Sequence, residues 1–75
     1  MFIIYTKDSC IFCVKAKELL TENKYAFEEK NVLDENFRAE LLLRLPEART
    51  VPQIFKDNNY IGGYTDLVEY FNQTI

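Results

Sequence analysis

Histidine and tryptophan are absent from these 75 residues, and cysteine occurs only twice. A structural zinc site takes four sulfur or nitrogen ligands, so two cysteines without a histidine leave such a site two ligands short within one chain, and no metal is expected. Chains this short often depend on several disulfides or a metal to hold their fold. Here that support is missing, and the core must hold the chain together. Nor is there an excess of basic charge: nine Lys and Arg against twelve Asp and Glu give a net charge of −3, whereas nucleic-acid binding selects basic patches. No stretch approaches the roughly twenty apolar residues of a membrane span. The run over residues 1–5 is too short for a signal peptide's apolar region and lacks its basic flank and cleavage site. Linkers, repeats and low-complexity segments are also missing. The expectation is one soluble, cytoplasmic, monomeric domain over residues 1–75, with neither nucleic acid nor membrane as partner.

What is present suits a compact globule: 48% of residues are hydrophobic and 15% aromatic, too apolar for a disordered chain. Residues 2–6 are short, apolar, aromatic and β-branched, the pattern of a buried strand. Asp8 and Ser9 then offer N-cap chemistry, and Cys13, Ala16, Leu19 and Leu20 recur at helical spacing, predicting a helix over about 11–23. Residues 25–32 alternate as a second strand, polar enough to lie at an edge. Asp34 caps a second helix that Pro46 stops at about Leu45. Residues 53–56 and 60–61 read as two strands joined by the turn residues Asp57, Asn58 and Asn59. Gly62-Gly63 ends that hairpin, and Thr65-Asp66 opens a third helix carrying Leu67, Val68, Tyr70 and Phe71. The order is β-α-β-α-β-β-α, an α/β fold. Its first two strands should be parallel, and the hairpin completes a four-stranded mixed sheet flanked by three helices.

The chemistry lies at Cys10-Ile11-Phe12-Cys13, where a strand hands over to a helix. The thiolate is the reactive form of cysteine, and a free thiol with a pKa of about 8.5 is mostly protonated near neutrality. Unpaired N–H groups and the macrodipole at a helix N-terminus favour negative charge, so Cys10 is placed to ionise. Lys7 adds to that field and Asp8 opposes it. Cys13 lies one turn on, close enough to form a disulfide, and its apolar side of the helix should bury it as a protonated thiol. Cys10 would attack and Cys13 resolve. Two inert core cysteines are the plain alternative, since cysteine packs as a small hydrophobe, but a CxxC at a helix start in a βαβ pattern favours redox chemistry.

Three separated segments together resemble glutaredoxin: Tyr5-Thr6-Lys7-Asp8-Ser9-Cys10-Ile11-Phe12-Cys13, then Thr50-Val51-Pro52-Gln53-Ile54-Phe55, then Tyr60-Ile61-Gly62-Gly63-Tyr64-Thr65-Asp66-Leu67. The resemblance spans essentially the whole chain. It implies a thioredoxin fold and a glutathione-dependent disulfide oxidoreductase that reduces protein disulfides and glutathione mixed disulfides, with glutathione as reducing co-substrate and a ribonucleotide reductase as a client. By position, Lys7 would meet a glutathione carboxylate and Phe12 would stand beside the ligand where the family usually has tyrosine. Thr50 and Val51 would line it, Val51 pairing its backbone with the cysteinyl unit as an added strand does. Pro52 would follow a cis peptide bond. Gly63 would allow close approach, and Thr65 and Asp66 would hold the γ-glutamyl end. Arg38 is a further cation, one residue farther from Pro52 than the family's spacing.

The chain departs from the family at Ile11, where proline is common and restrains the first helical turn. Some relatives without that proline hold a glutathione-ligated iron–sulfur cluster between two subunits, a role that the bulk of Ile11 and Phe12 opposes. A thioredoxin-like disulfide reductase is a second alternative, set back by the lack of tryptophan before Cys10 and of Gly-Pro between the cysteines. A non-catalytic glutathione-binding module is a third, and it requires an unreactive Cys10.

Overall fold

In the computed structural model, which describes residues 1–73, strand β1 (Phe2–Thr6) runs through the interior of a four-stranded sheet of order β2-β1-β3-β4. Four of its five residues are buried, as expected for a strand covered on both faces. β2 (Phe27–Asn31) lies parallel to it at the sheet edge, and β3 (Gln53–Lys56) lies antiparallel on its other side. β4 (Asn59–Gly62) closes the hairpin with β3. The polar character of β2 fits its edge position, where one side of its backbone stays unpaired and charged side chains discourage association.

The two faces of β1 divide the core, because successive strand residues point to opposite sides. Phe2 and Ile4 pack with Ala16, Leu20, Ile54 and Leu67 beneath α1 (Ile11–Glu22) and α3 (Tyr64–Asn72). Tyr5 packs with Phe55 and Leu41 beneath α2 (Glu35–Arg44) on the opposite face. The Tyr5 hydroxyl donates to Glu40 on α2, and Lys30 Nζ donates to the same carboxylate at 2.6 Å. Burial, and then that hydrogen bond, push the Tyr5 phenol up to about 12, so it remains a donor throughout the physiological range. No buried polar side-chain atom lacks a partner among the described residues.

The element order agrees with the sequence reading, and the boundaries differ for local reasons. Helix α1 ends at Glu22, and Lys24 turns left-handed with φ 63°. The Lys24 N–H donates to Thr21 O at 2.9 Å and the Tyr25 N–H to Leu20 O at 3.0 Å, the pattern of a left-handed C-terminal cap. Those residues are used in closing the helix, so β2 begins at Phe27 rather than at residue 25. Asp34 caps α2 as expected, its Oδ1 accepting from the Asn36 N–H at 2.8 Å. The third helix starts one residue earlier than expected, with Gly63 as its N-cap.

Leu20 is fully buried between α1 and the sheet. Leu20→Ala should lower unfolding stability by about 2–5 kcal/mol, the usual range for a lost core leucine. Urea titration monitored by circular dichroism checks this, with an unchanged denaturant slope expected.

Candidate functional site

β1 delivers the chain to its C-terminal end at Thr6, and the loop over residues 7–10 must turn it directly into α1. Ser9 accomplishes the turn in a left-handed conformation, φ 56°. Cys10 follows in extended geometry as the N-cap of α1. This corrects the expectation that Asp8 or Ser9 would cap the helix. The Cys10 sulfur itself takes the place of a capping oxygen, accepting from the Cys13 N–H at 3.2 Å. Asp8 instead accepts from the Asn31 side-chain amide at 2.8 Å, which ties the loop to the end of β2.

Cys10 and Cys13 are joined as a disulfide, with their Cα atoms 5.2 Å apart. They differ in access: Cys13 is 1% exposed, while Cys10 is partly exposed. Ile11, the first residue of α1, is 67% exposed, so the side chain that replaces proline there stands in solvent.

The second contribution comes from the strand antiparallel to β1. The peptide bond between Val51 and Pro52 is cis, as the family pattern implies, and the Val51 carbonyl oxygen lies 3.8 Å from Cys10 Sγ. Pro52 is buried and Val51 half-buried. The loop is held from behind by Gln53, whose side-chain amide donates to Thr50 O at 2.9 Å and whose Oε1 accepts from the Tyr60 hydroxyl at 2.6 Å.

The third contribution is the start of α3. A Cβ placed on Gly63 would come within 3.6 Å of Pro52 O, so α3 begins directly against the Val51-Pro52 loop. At Gly62 the backbone is left-handed, φ 129°, and a Cβ there would collide with the Asp66 side chain. Asp66 is itself engaged, accepting from the Gly63 N–H at 3.0 Å. Phe12 meets Tyr64 with ring centroids 5.8 Å apart, and this aromatic pair ties the first turns of α1 and α3 together.

Two adjoining depressions result. A cleft of about 460 Å³ contains Cys10 and Cys13 with Lys7, Lys17 and Glu29 on its walls. A groove of about 200 Å³ runs past Thr50 and Val51 between Lys7, Arg38 and Arg49. Of the residues singled out from sequence, Lys7 borders both. Thr50 and Val51 line the groove, and Arg38, despite its longer spacing, does too. Phe12, Thr65 and Asp66 line neither depression. A larger cleft of about 570 Å³, between the loop after α2 and Tyr60, contains neither cysteine. Among the described residues, no group of three or more metal-ligating side chains comes together.

Sequence patterning does not single out Lys17, Glu29, Asn31, Arg49 or Tyr64. Lys17 does carry one signal, since it lies four residues after Cys13 on the same side of α1. Its Nζ donates to Glu29 at 2.9 Å, and the Thr6 hydroxyl donates to the same oxygen at 2.7 Å. The Thr6 hydrogen bond first, and then Lys17, hold the Glu29 carboxyl below the ordinary glutamate value of 4.5.

The glutaredoxin family model matches residues 2–61. A glutaredoxin of Enterobacteria phage T4 is 42% identical over 95% of this chain and 99% of the phage protein. Glutaredoxin 3 of Escherichia coli (strain K12) is 39% identical over 85% of this chain and 77% of its own length. The crystal structure of glutaredoxin 1 from Francisella tularensis, complexed with cacodylate, superposes with a TM-score of 0.79 at 34% identity, covering 96% of this chain and 92% of that one.

Because Glu29 titrates lower when folded than when unfolded, its contribution to stability is complete above the unfolded value. That contribution is lost as pH falls through the folded value. Stability should therefore decline on acidification below about pH 4.5. Glu29→Gln should flatten that decline and lower stability at neutral pH. Urea midpoints at a series of pH values for both proteins measure the difference.

Proposed function

This chain belongs to the glutaredoxin family, and from that premise we propose that it reduces protein disulfides and glutathione mixed disulfides with electrons from glutathione, Cys10 attacking and Cys13 resolving. Its general activity is that of a thiol–disulfide oxidoreductase. The observation that carries the finer assignment is the Cys13 N–H donating to Cys10 Sγ at 3.2 Å. A donor aimed at a sulfur stabilises the thiolate over the thiol, and the helix macrodipole adds to it. Cys13 has the opposite setting, since burial disfavours an ionised sulfur.

With a glutathione mixed disulfide, the Cys10 thiolate attacks the glutathione sulfur. The client's cysteine leaves as a thiolate and takes a proton from water. A second glutathione thiolate then attacks the glutathione bound on Cys10, giving glutathione disulfide and restoring the Cys10 thiolate. With a protein disulfide, Cys10 attacks one sulfur and the other leaves. Cys13, once deprotonated, attacks Cys10 Sγ, and the client departs fully reduced while the Cys10–Cys13 disulfide forms. Two glutathione molecules return the pair to the dithiol.

The two depressions suit glutathione as the donor. Val51 offers a backbone edge beside Cys10 for the cysteinyl unit. Lys7 and Arg38 stand over the groove where a carboxylate would lie. On the other flank, Phe12, Gly63, Thr65 and Asp66 form the start of α3 and its aromatic contact, and backbone N–H groups at such a helix start favour an anionic end. Ribonucleotide reductase as a client, and a reducing cytoplasm as the site of action, rest on family resemblance and on the sparse cysteine content.

Cys10→Ser should abolish reduction of both substrate kinds. Cys13→Ser should keep glutathione-coupled reduction of a small mixed disulfide and lose most reduction of a protein disulfide. Glutathione with glutathione reductase should support turnover, and thioredoxin reductase should not. Activity remaining in Cys10→Ser, or efficient turnover with thioredoxin reductase alone, contradicts the assignment.

A further inference from the structure

Nine side chains of this chain are basic, and five of them line the cysteine cleft or the groove beside Val51 or lie over Phe12. Lys7 and Lys17 border the cleft that holds the two sulfurs. Arg38 and Arg49 join Lys7 along the groove beside Val51. Lys15 places its ammonium group 5.5 Å above the Phe12 ring, in the first turns of α1. The cleft itself is balanced, with Lys7 and Lys17 against Asp8 and Glu29 and Lys17 paired to Glu29, whereas no carboxylate lines the groove that holds Lys7, Arg38 and Arg49. Among the described residues the Arg38 side chain pairs with Glu35 alone, an exposed contact at 4.0 Å of the kind worth little in water. Farther along α1, Glu18 and Glu22 border an adjoining groove that shares Val14 and Lys17 with the cleft and contains neither cysteine. A protein with net charge −3 thus lines the groove beside Val51 with positive charge alone.

The same rim carries apolar surface. Ile11, Phe12 and Val14 are 67%, 50% and 48% exposed, although they occupy the first turns of a helix whose other face is in the core. Glutathione is a single small anion, which one or two cations can satisfy. Three cations along the groove beside Val51 and Lys15 over Phe12, with three exposed apolar side chains in the first turn of α1, offer more recognition surface than that ligand uses.

We propose that this rim is a docking surface for protein segments whose reacting cysteine is flanked by acidic residues, with apolar neighbours lying on Ile11, Phe12 and Val14. The proposal rests on Cys10 being the nucleophile, and it names the class of protein disulfide that this sulfur meets. Complementary charge raises encounter rates and disfavours wrong partners, and both effects fade with salt. The reaction is the two-electron exchange described above. Cys10 bonds to one substrate sulfur, Cys13 displaces it, the substrate cystine gains two electrons and two protons, and the enzyme dithiol becomes the disulfide.

The test uses the pre-reduced protein in single turnover without glutathione. Two peptides carry the same internal disulfide and apolar residues, one with Asp and Glu beside the cysteines and the other with Lys. At low ionic strength the acidic peptide should be reduced about tenfold faster, and at about 1 M salt, where screening acts within about 3 Å, the ratio should approach one. Lys15→Glu and Arg49→Glu, both exposed and outside the disulfide pair, should each shrink the ratio. Lys15→Glu should leave reduction of a small neutral disulfide unchanged. Equal rates at low salt, or a preference that survives high salt and both substitutions, would overturn the proposal. Reduction of neither peptide would overturn the nucleophile assignment with it. Since glutathione takes no part, the outcome stands independently of whether glutathione is the physiological donor.

Discussion

A sulfur atom occupies the N-cap position of α1, and the rest of the structure serves to hold it there. The first N–H groups of a helix have no partner within the helix. A capping oxygen normally accepts one of them, and here Cys10 Sγ does so. For that to occur the chain must leave β1 and enter α1 within a few residues. The left-handed Ser9 makes the turn, and the Asn31–Asp8 hydrogen bond fixes the loop to the neighbouring strand. β1 can anchor the turn because it is buried on both faces and paired along both edges.

The antiparallel placement of β3 beside β1 brings a second segment to the same end. β3 begins where β1 finishes, so the Val51-Pro52 loop arrives opposite Cys10 without a long excursion. The hairpin of β3 and β4 then returns the chain, and α3 starts at Gly63 directly against Pro52 O. Two helix starts and one loop therefore converge on a single edge, in keeping with ligand sites outside the carboxyl ends of strands in α/β sheets. The unequal cysteines follow from the same arrangement. Cys10 lies at the rim with a donor on its sulfur, and Cys13, one turn later, points into the core.

Much of this was legible in the sequence because it depends on local pattern. The apolar run of β1, the helical spacing of Cys13, Ala16 and Leu20, the Asp34 cap and the Asp57-Asn58 turn each fixed an element, and their order left little choice of topology. Cys10, Cys13 and the Val51-Pro52 loop stood out by residue type and spacing. What escaped notice depends on distant side chains. Glu29 and Thr6 are 23 residues apart and meet only after β2 pairs with β1. Phe12 finds Tyr64 only once both helices lie on one face. Asp8 looked like a cap because Asp commonly caps helices, but its carboxylate had a partner on β2 that periodicity could not reveal.

The central claim is that position at the helix start, and not general reactivity, makes Cys10 the nucleophile. It is tested most directly by alkylation rates across pH in the reduced single-cysteine proteins, Cys13→Ser and Cys10→Ser. In Cys13→Ser, iodoacetamide should modify Cys10 with a midpoint below the free-thiol value of about 8.5. In Cys10→Ser, Cys13 should react more slowly at pH 7 and with a higher midpoint. Faster labelling of Cys13 at neutral pH, or a Cys10 midpoint at or above the free value, would contradict the account.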